Sequence, residues 1–137
     1  MSTILIHPDP GPLRALLASA GQRLQVAGEF SDSPAGLAAA GQLRPDVVFA
    51  SMEMADVPSV DLLAQLTGLG IEVVAVSQWG TFAYEAIRCG AIGFLTEPIR
   101  AADLDELLPR LENRLHERRI LRAARALSEE IKRPPED

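Results

Sequence analysis

A hydroxyl or a carboxylate does chemistry only when a second group prepares it, and this chain is short of such pairs. Ser51 and Ser77 each close a short apolar run, yet neither has a base nearby in sequence that would make its hydroxyl a good nucleophile. His7 and His116 are the two histidines and Cys89 is the single cysteine, so a zinc site and a Cys–His pair both lack material. No glycine-rich phosphate loop is present. Asp9, Glu53 and Glu97 stand just beyond apolar runs. Asp9 is either a cation ligand or a helix cap, and its place before Pro10 favours the cap. Glu53 reads as a solvated side chain. Trp79 lies in a loop, where an aromatic either anchors a partner or packs over a crevice. The inventory points to a binding module and away from an enzyme.

The elements that position these residues follow from the apolar runs. Ile4-Leu5-Ile6, Leu24 to Gly28, Val47 to Ala50, Val73 to Val76 and Ala91 to Leu95 read as five strands. Between them lie amphipathic stretches through Leu13, Leu16 and Leu17, from Leu37 to Leu43, through Leu62, Leu63 and Leu66, and from Ala83 to Ile87. Strands apolar on both faces, alternating with helices, make a parallel sheet covered on both sides. Right-handed crossovers then give a doubly wound (βα)5 sheet of flavodoxin-like order 2-1-3-4-5, with its crevice at the carboxyl ends of the strands. Asp9 and Ser33, each followed by proline, are the expected caps of the first two helices. Asp9 and Glu97 are expected to approach one another across the crevice, where repulsion would raise one carboxyl's pKa and a cation could bind between them.

Length fits one domain with a sizeable core, filled by aliphatic side chains because only 4% of residues are aromatic. No apolar run is long enough for a membrane span, and residues 1–3 lack the pattern of a signal peptide, so a cytoplasmic, non-membrane protein is expected. Net charge is −6, but residues 1–109 carry 5 basic against 13 acidic side chains while residues 110–133 carry 8 against 4. An acidic body with a basic C-terminal arm argues against nucleic-acid binding by the body and leaves the arm open.

The order of elements, together with Ile4-Leu5-Ile6-His7-Pro8-Asp9, Arg44-Pro45-Asp46-Val47-Val48-Phe49, Met54, Gly90-Ala91 and Phe94-Leu95-Thr96-Glu97-Pro98, resembles the receiver domains of two-component response regulators over roughly residues 3–116. In that family an acidic pair after the first strand holds Mg²⁺ and an Asp ending the third strand is phosphorylated. A Ser/Thr after the fourth strand and a Lys before a cis-proline after the fifth read the phosphate. The resemblance places Pro8 and Asp9 at the acidic pair, Ser51 at the phosphoacceptor, Ser77 at the Ser/Thr and Glu97 at the Lys, with Pro98 retained and the Glu97–Pro98 bond cis. Phe94 falls at an aromatic switch position and is expected to be held in one state by packing. A serine cannot form an acyl phosphate, and the end of a central strand is a poor substrate for a Ser/Thr kinase. Reversing one charge about 4 Å from a phosphate alters the interaction by several kcal/mol at moderate dielectric. The resemblance therefore implies a degenerate pocket, with no metal, no cofactor and no catalytic residue.

The last helix is expected from near Ala101, with a kink or restart at Pro109. Leu104, Leu108, Leu111 and Leu115 suit packing onto the sheet. Ile120, Ala124, Leu127 and Ile131 form a second 4-3-4 set, offset by five residues, that turns elsewhere. A symmetric partner helix is the simplest occupant, so Leu111, Leu115 and the second set are taken together as a dimerisation helix. Arg114, Arg118, Arg119, Arg122 and Arg125 decorate the segment, and Arg118, Arg119 and Arg122 are the candidate nucleic-acid contacts. With no aromatic interleaved for base stacking, a protein partner is favoured. The expected organisation is a receiver-like domain over 1–116, a helical extension over 117–133 and a disordered tail over 134–137. The expected function is phosphorylation-independent signalling by homodimerisation and docking of a protein partner, alone or as part of a longer regulator. The alternative is an antiterminator-like or transcriptional regulator that binds nucleic acid through the basic helix.

Overall fold

The computed structural model describes residues 1–132; Arg133 and the expected tail lie outside the described residues. Five strands, β1 (Ser2–Ile6), β2 (Gln25–Phe30), β3 (Val47–Ser51), β4 (Glu72–Ser77) and β5 (Gly93–Thr96), form one parallel sheet in the order β2-β1-β3-β4-β5. The helices are α1 (Pro10–Ala18), α2 (Ser33–Leu43), α3 (Ser59–Gly68), α4 (Ala83–Arg88) and α5 (Ala101–Lys132). Short 3₁₀ turns at Gly21–Arg23 and Gly80–Phe82 precede β2 and α4.

Successive strand residues point to opposite faces, so each buried strand feeds two cores. Ile4, Ile6, Val48, Ala50, Val73 and Ala75 pack with Leu62, Leu63 and Leu66 of α3, Ala40 of α2 and Ala86 of α4. Leu5, Val47, Phe49, Val74, Val76 and Leu95 pack with Leu13 and Leu17 of α1 and with Leu104, Leu107, Leu108 and Leu111 of α5. Every residue of β3 and β4 is buried, as continuous apolar runs in a covered parallel sheet must be. Two glycines set how closely the layers approach. A Cβ on Gly36 of α2 would lie 2.6 Å from Ile6, and one on Gly93 of β5 would lie 2.7 Å from Leu107.

Several local expectations need correction. Asp9 occupies the cap position of α1, but its side chain accepts no capping bond. The cap of α2 is Asp32, whose Oδ1 accepts from the Ala35 N–H at 2.8 Å. Ser33 is the first helical residue, and it ties α2 to the loop after β3. Its N–H and Oγ–H both donate to Asp56, at 2.7 and 2.8 Å. Those bonds to the charged form hold the Asp56 carboxyl below the usual carboxylate range. β5 begins at Gly93, two residues later than expected.

α5 runs through Pro109 without a restart. Proline removes one N–H and frees the Asp105 carbonyl, but both residues face water, which satisfies what the helix cannot. The buried residues of α5 end at Leu115; beyond it Arg118 still bonds to the body, and the residues from Arg119 to Lys132 are exposed. Among the described residues no helix is long and apolar enough to cross a membrane.

Candidate functional site

Parallel strands deliver their carboxyl ends to one edge of the sheet, and four of the five bring polar residues there. After β1 come His7, Pro8 and Asp9; β3 ends at Ser51 and is followed by Glu53; β4 ends at Ser77, before Trp79; β5 leads into Glu97 and Pro98. The candidate pocket residues therefore lie along one edge of the sheet. The Glu97–Pro98 bond is cis.

Two hydrogen-bonded groups occupy this edge. In the first, Glu53 is hydrogen-bonded, where the sequence suggested a freely solvated side chain. Its Oε2 accepts from Ser77 Oγ at 3.0 Å and its Oε1 from the Gln78 N–H at 2.6 Å. Ser77 Oγ also accepts from the Trp79 N–H at 3.0 Å, so a buried hydroxyl is used as both donor and acceptor. Ser51, only 1% exposed, accepts from the Glu53 N–H at 3.0 Å through its Oγ. Sequence reading missed this group because Ser77 and Glu53 lie 24 residues apart.

In the second group His7 is the hinge. Its Nδ1 accepts from the Asp9 N–H at 2.9 Å, which leaves the ring proton on Nε2. Nε2 then faces both oxygens of Glu97, at 3.0 and 3.2 Å. The partner of Glu97 is thus His7, where the sequence suggested Asp9 and a contest between two carboxylates. The Asp9 side chain is exposed.

A divalent cation such as the Mg²⁺ held by the acidic pair of the family's receivers needs several free oxygen donors. The crevice offers one exposed carboxylate, at Asp9. Glu53 and Glu97 are engaged, and the Ser51 hydroxyl is buried and already accepting. Among the described residues no group of three or more His, Cys, Asp or Glu side chains lies close enough to hold a metal ion. These residues do not fit magnesium.

Beside the crevice a groove of about 530 Å³ runs between α1 and the loop after β5, with Leu13, Leu16, Trp79, Pro98 and Ile99 on its walls. Trp79 is 58% exposed and lines this groove. Phe94 is half-buried and packs against the core on the α3–α4 side.

At the opposite edge of the sheet the structure reveals an arrangement that sequence reading missed. Glu72 opens β4 and is 5% exposed; its Oε1 accepts from Arg114 Nε at 3.1 Å and pairs with Arg118 Nε at 2.8 Å. Arg118 also donates to the Gly70 carbonyl. Of the three candidate nucleic-acid contacts, Arg118 is therefore already engaged by the body. The proposed dimerisation set divides likewise. Leu111 and Leu115 are buried within the domain, whereas Ile120, Ala124, Leu127 and Ile131 are exposed, together with Leu121.

Comparison with known proteins agrees with this architecture. The chain is 34% identical over 100 residues to an uncharacterized response regulatory protein of Vibrio cholerae, an alignment covering 72% of this chain and 42% of that one. It is 28% identical over 89 residues to the transcriptional regulatory protein BtsR of Escherichia coli, covering 64% and 37%. The chain thus spans less than half the length of these relatives. No protein-family model matches it. Among solved structures, the REC domain of AraT, a response regulator from Geobacillus stearothermophilus, superposes with a TM-score of 0.76 at 18% identity, covering 86% of this chain and 97% of that one. The chain is thus similar in sequence to response regulatory proteins, and its five-stranded 2-1-3-4-5 sheet has the fold of their receiver domains.

Proposed function

We propose that this receiver domain signals without aspartyl phosphorylation, by docking a protein partner and by self-association through the exposed end of α5. The observation that carries the first half is the engagement of the crevice's polar groups with one another. Ser51, at the end of β3, can give no acyl phosphate, and Pro8 supplies no carboxylate. Glu97 stands where the family has a lysine and adds negative charge near the place a phosphoryl group would take. With Glu53 and Glu97 already hydrogen-bonded, binding Mg²⁺ would first require both groups to be broken.

The second half rests on Ile120, Leu127 and Ile131, which form one exposed apolar stripe beyond the last buried residue. Two such stripes placed side by side would bury each other, although two heptads make only a weak coil. A cytoplasmic location accords with this reading, as does a role in a longer regulator, since the aligned region covers only 42% and 37% of the two relatives.

Trp79 is the only tryptophan and flanks the crevice, so its fluorescence reports directly. Beryllofluoride with Mg²⁺ is expected to leave its emission unchanged; a saturable Mg²⁺-dependent change would overturn the proposal. Light scattering of the Leu127→Glu chain is expected to show a smaller assembly than the parent chain. Equal masses would remove self-association from the account.

A further inference from the structure

Beneath the sheet, at the edge away from the crevice, lies a cavity of about 340 Å³. Its walls are the Arg44-Pro45-Asp46 segment after α2, the Gly70-Ile71 turn before β4, and α5 from Leu115 to Arg122. A second hollow of about 350 Å³ adjoins it and shares Arg44, Gly70, Arg118 and Arg122, adding Arg114 and Arg125. Six arginines thus surround one corner of a molecule whose body is otherwise acidic.

Local acids neutralise only part of this charge. Glu72 takes Arg114 and Arg118, and Glu117 approaches Arg114 at 3.8 Å. Asp46 lines the cavity, but its Oδ2 is bound by the Ser2 N–H at 2.8 Å and the Ser2 hydroxyl at 3.3 Å. Among the described residues Arg44, Arg119, Arg122 and Arg125 form no ion pair. Arg118, Arg122 and Arg125 follow i, i+4 and i+7 spacing, so like charges stack along one face of α5 and repel. Arg44 reaches the same corner from a left-handed C-cap, φ 49°, that ends α2.

We propose that this corner binds a small oligophosphate: a diphosphate or triphosphate group, free or as the tail of a nucleotide. Guanidinium forks match phosphate oxygens two at a time, and several forks converging on one cavity suit a ligand with several adjacent phosphates. Arg118, fixed by Glu72 and Gly70, provides a preorganised wall on which Arg44, Arg119 and Arg122 close. The cavity is bounded on three sides and has no aromatic residue in its lining, which suits a compact anion better than a base-stacked strand. The acidic body would repel a long polyanion that ran past the corner. This site is independent of the reading of the crevice, and either can fail alone.

Isothermal titration of the full chain with sodium tripolyphosphate in low salt, without divalent cations, tests the proposal. Saturable one-to-one binding is expected, weakened at least tenfold in Arg119→Ala/Arg122→Ala, a variant of two exposed residues whose fold circular dichroism can verify. Arg88→Ala, on α4 and absent from this cavity, should bind as the parent does. ATP binding at least as tightly as tripolyphosphate, with the same sensitivity to the double variant, would support the site and identify a nucleotide as its source. No saturable binding at millimolar ligand, or equal affinity in the double variant, would overturn the proposal. So would a single-stranded RNA that binds through Arg119 and Arg122 when tripolyphosphate does not.

Discussion

The two ends of the sheet handle charge in opposite ways. At the carboxyl edge Glu53, Ser77, His7 and Glu97 are tied to one another or to nearby backbone. At the amino edge one buried acid, Glu72, gathers two arginines and leaves others around them unmatched. In most doubly wound sheets the binding chemistry belongs to the carboxyl edge. Here the carboxyl edge leaves one exposed carboxylate, Asp9, whereas the amino edge gathers several arginines with no ion pair among the described residues. The carboxyl edge thus spends its polar groups on internal bonds, while the amino edge concentrates arginines.

The largest test of this contrast removes both arginines from Glu72. Arg114→Ala/Arg118→Ala leaves a buried carboxylate without a counterion, and urea denaturation should show a loss of about 3–5 kcal/mol. Each single substitution should cost far less than half as much, because Glu72 keeps one partner. Simple additivity would mean that the two arginines act separately. At the carboxyl edge, Glu53→Ala strands the Ser77 hydroxyl and the Gln78 N–H. A loss of about 1–3 kcal/mol is expected by the same method, and a neutral result would imply that the bonds of the crevice do not hold it closed.

A smaller effect concerns pH. The Asp56 carboxyl titrates below its unfolded value, so its contribution is fully present above the ordinary carboxylate range and is lost as pH falls through the folded pKa. Ser33→Ala removes one of the two bonds responsible, and the stability of that variant should fall less steeply between neutral pH and pH 3 than that of the parent. Smallest of all, Leu127→Ala should change the stability of the folded body by no more than about 0.5 kcal/mol, since the residue lies on the exposed end of α5. A larger loss, if it grew with protein concentration, would show that the stripe is covered in solution.

The strands and their order were legible because β3 and β4 are apolar on both faces, a pattern that few other environments produce. The caps were legible only to within one residue. Asp32 and Ser33 are both good capping residues, and sequence alone does not say which will point at Ala35 and which at Asp56. The polar groups of both edges were harder to read. Glu72 looks like a solvated acid ahead of a strand, and nothing local links it to Arg114, 42 residues away. His7 and Glu97 are separated by 90 residues, so their meeting follows only from the folded topology. What the sequence did place was the edge of the sheet to which these residues belong, because each of them ends or follows a strand.

Arg114 and Arg118 are one turn apart on α5, and both reach the same oxygen of Glu72. Two bolts through a single plate stop a rod from rolling as well as from sliding. From Arg118 to Lys132 the rod extends roughly 20 Å beyond the plate, so a tilt of a few degrees at Glu72 would sweep its tip by an ångström or more. The exposed end of the helix thereby takes its bearing on the sheet from a single buried carboxylate.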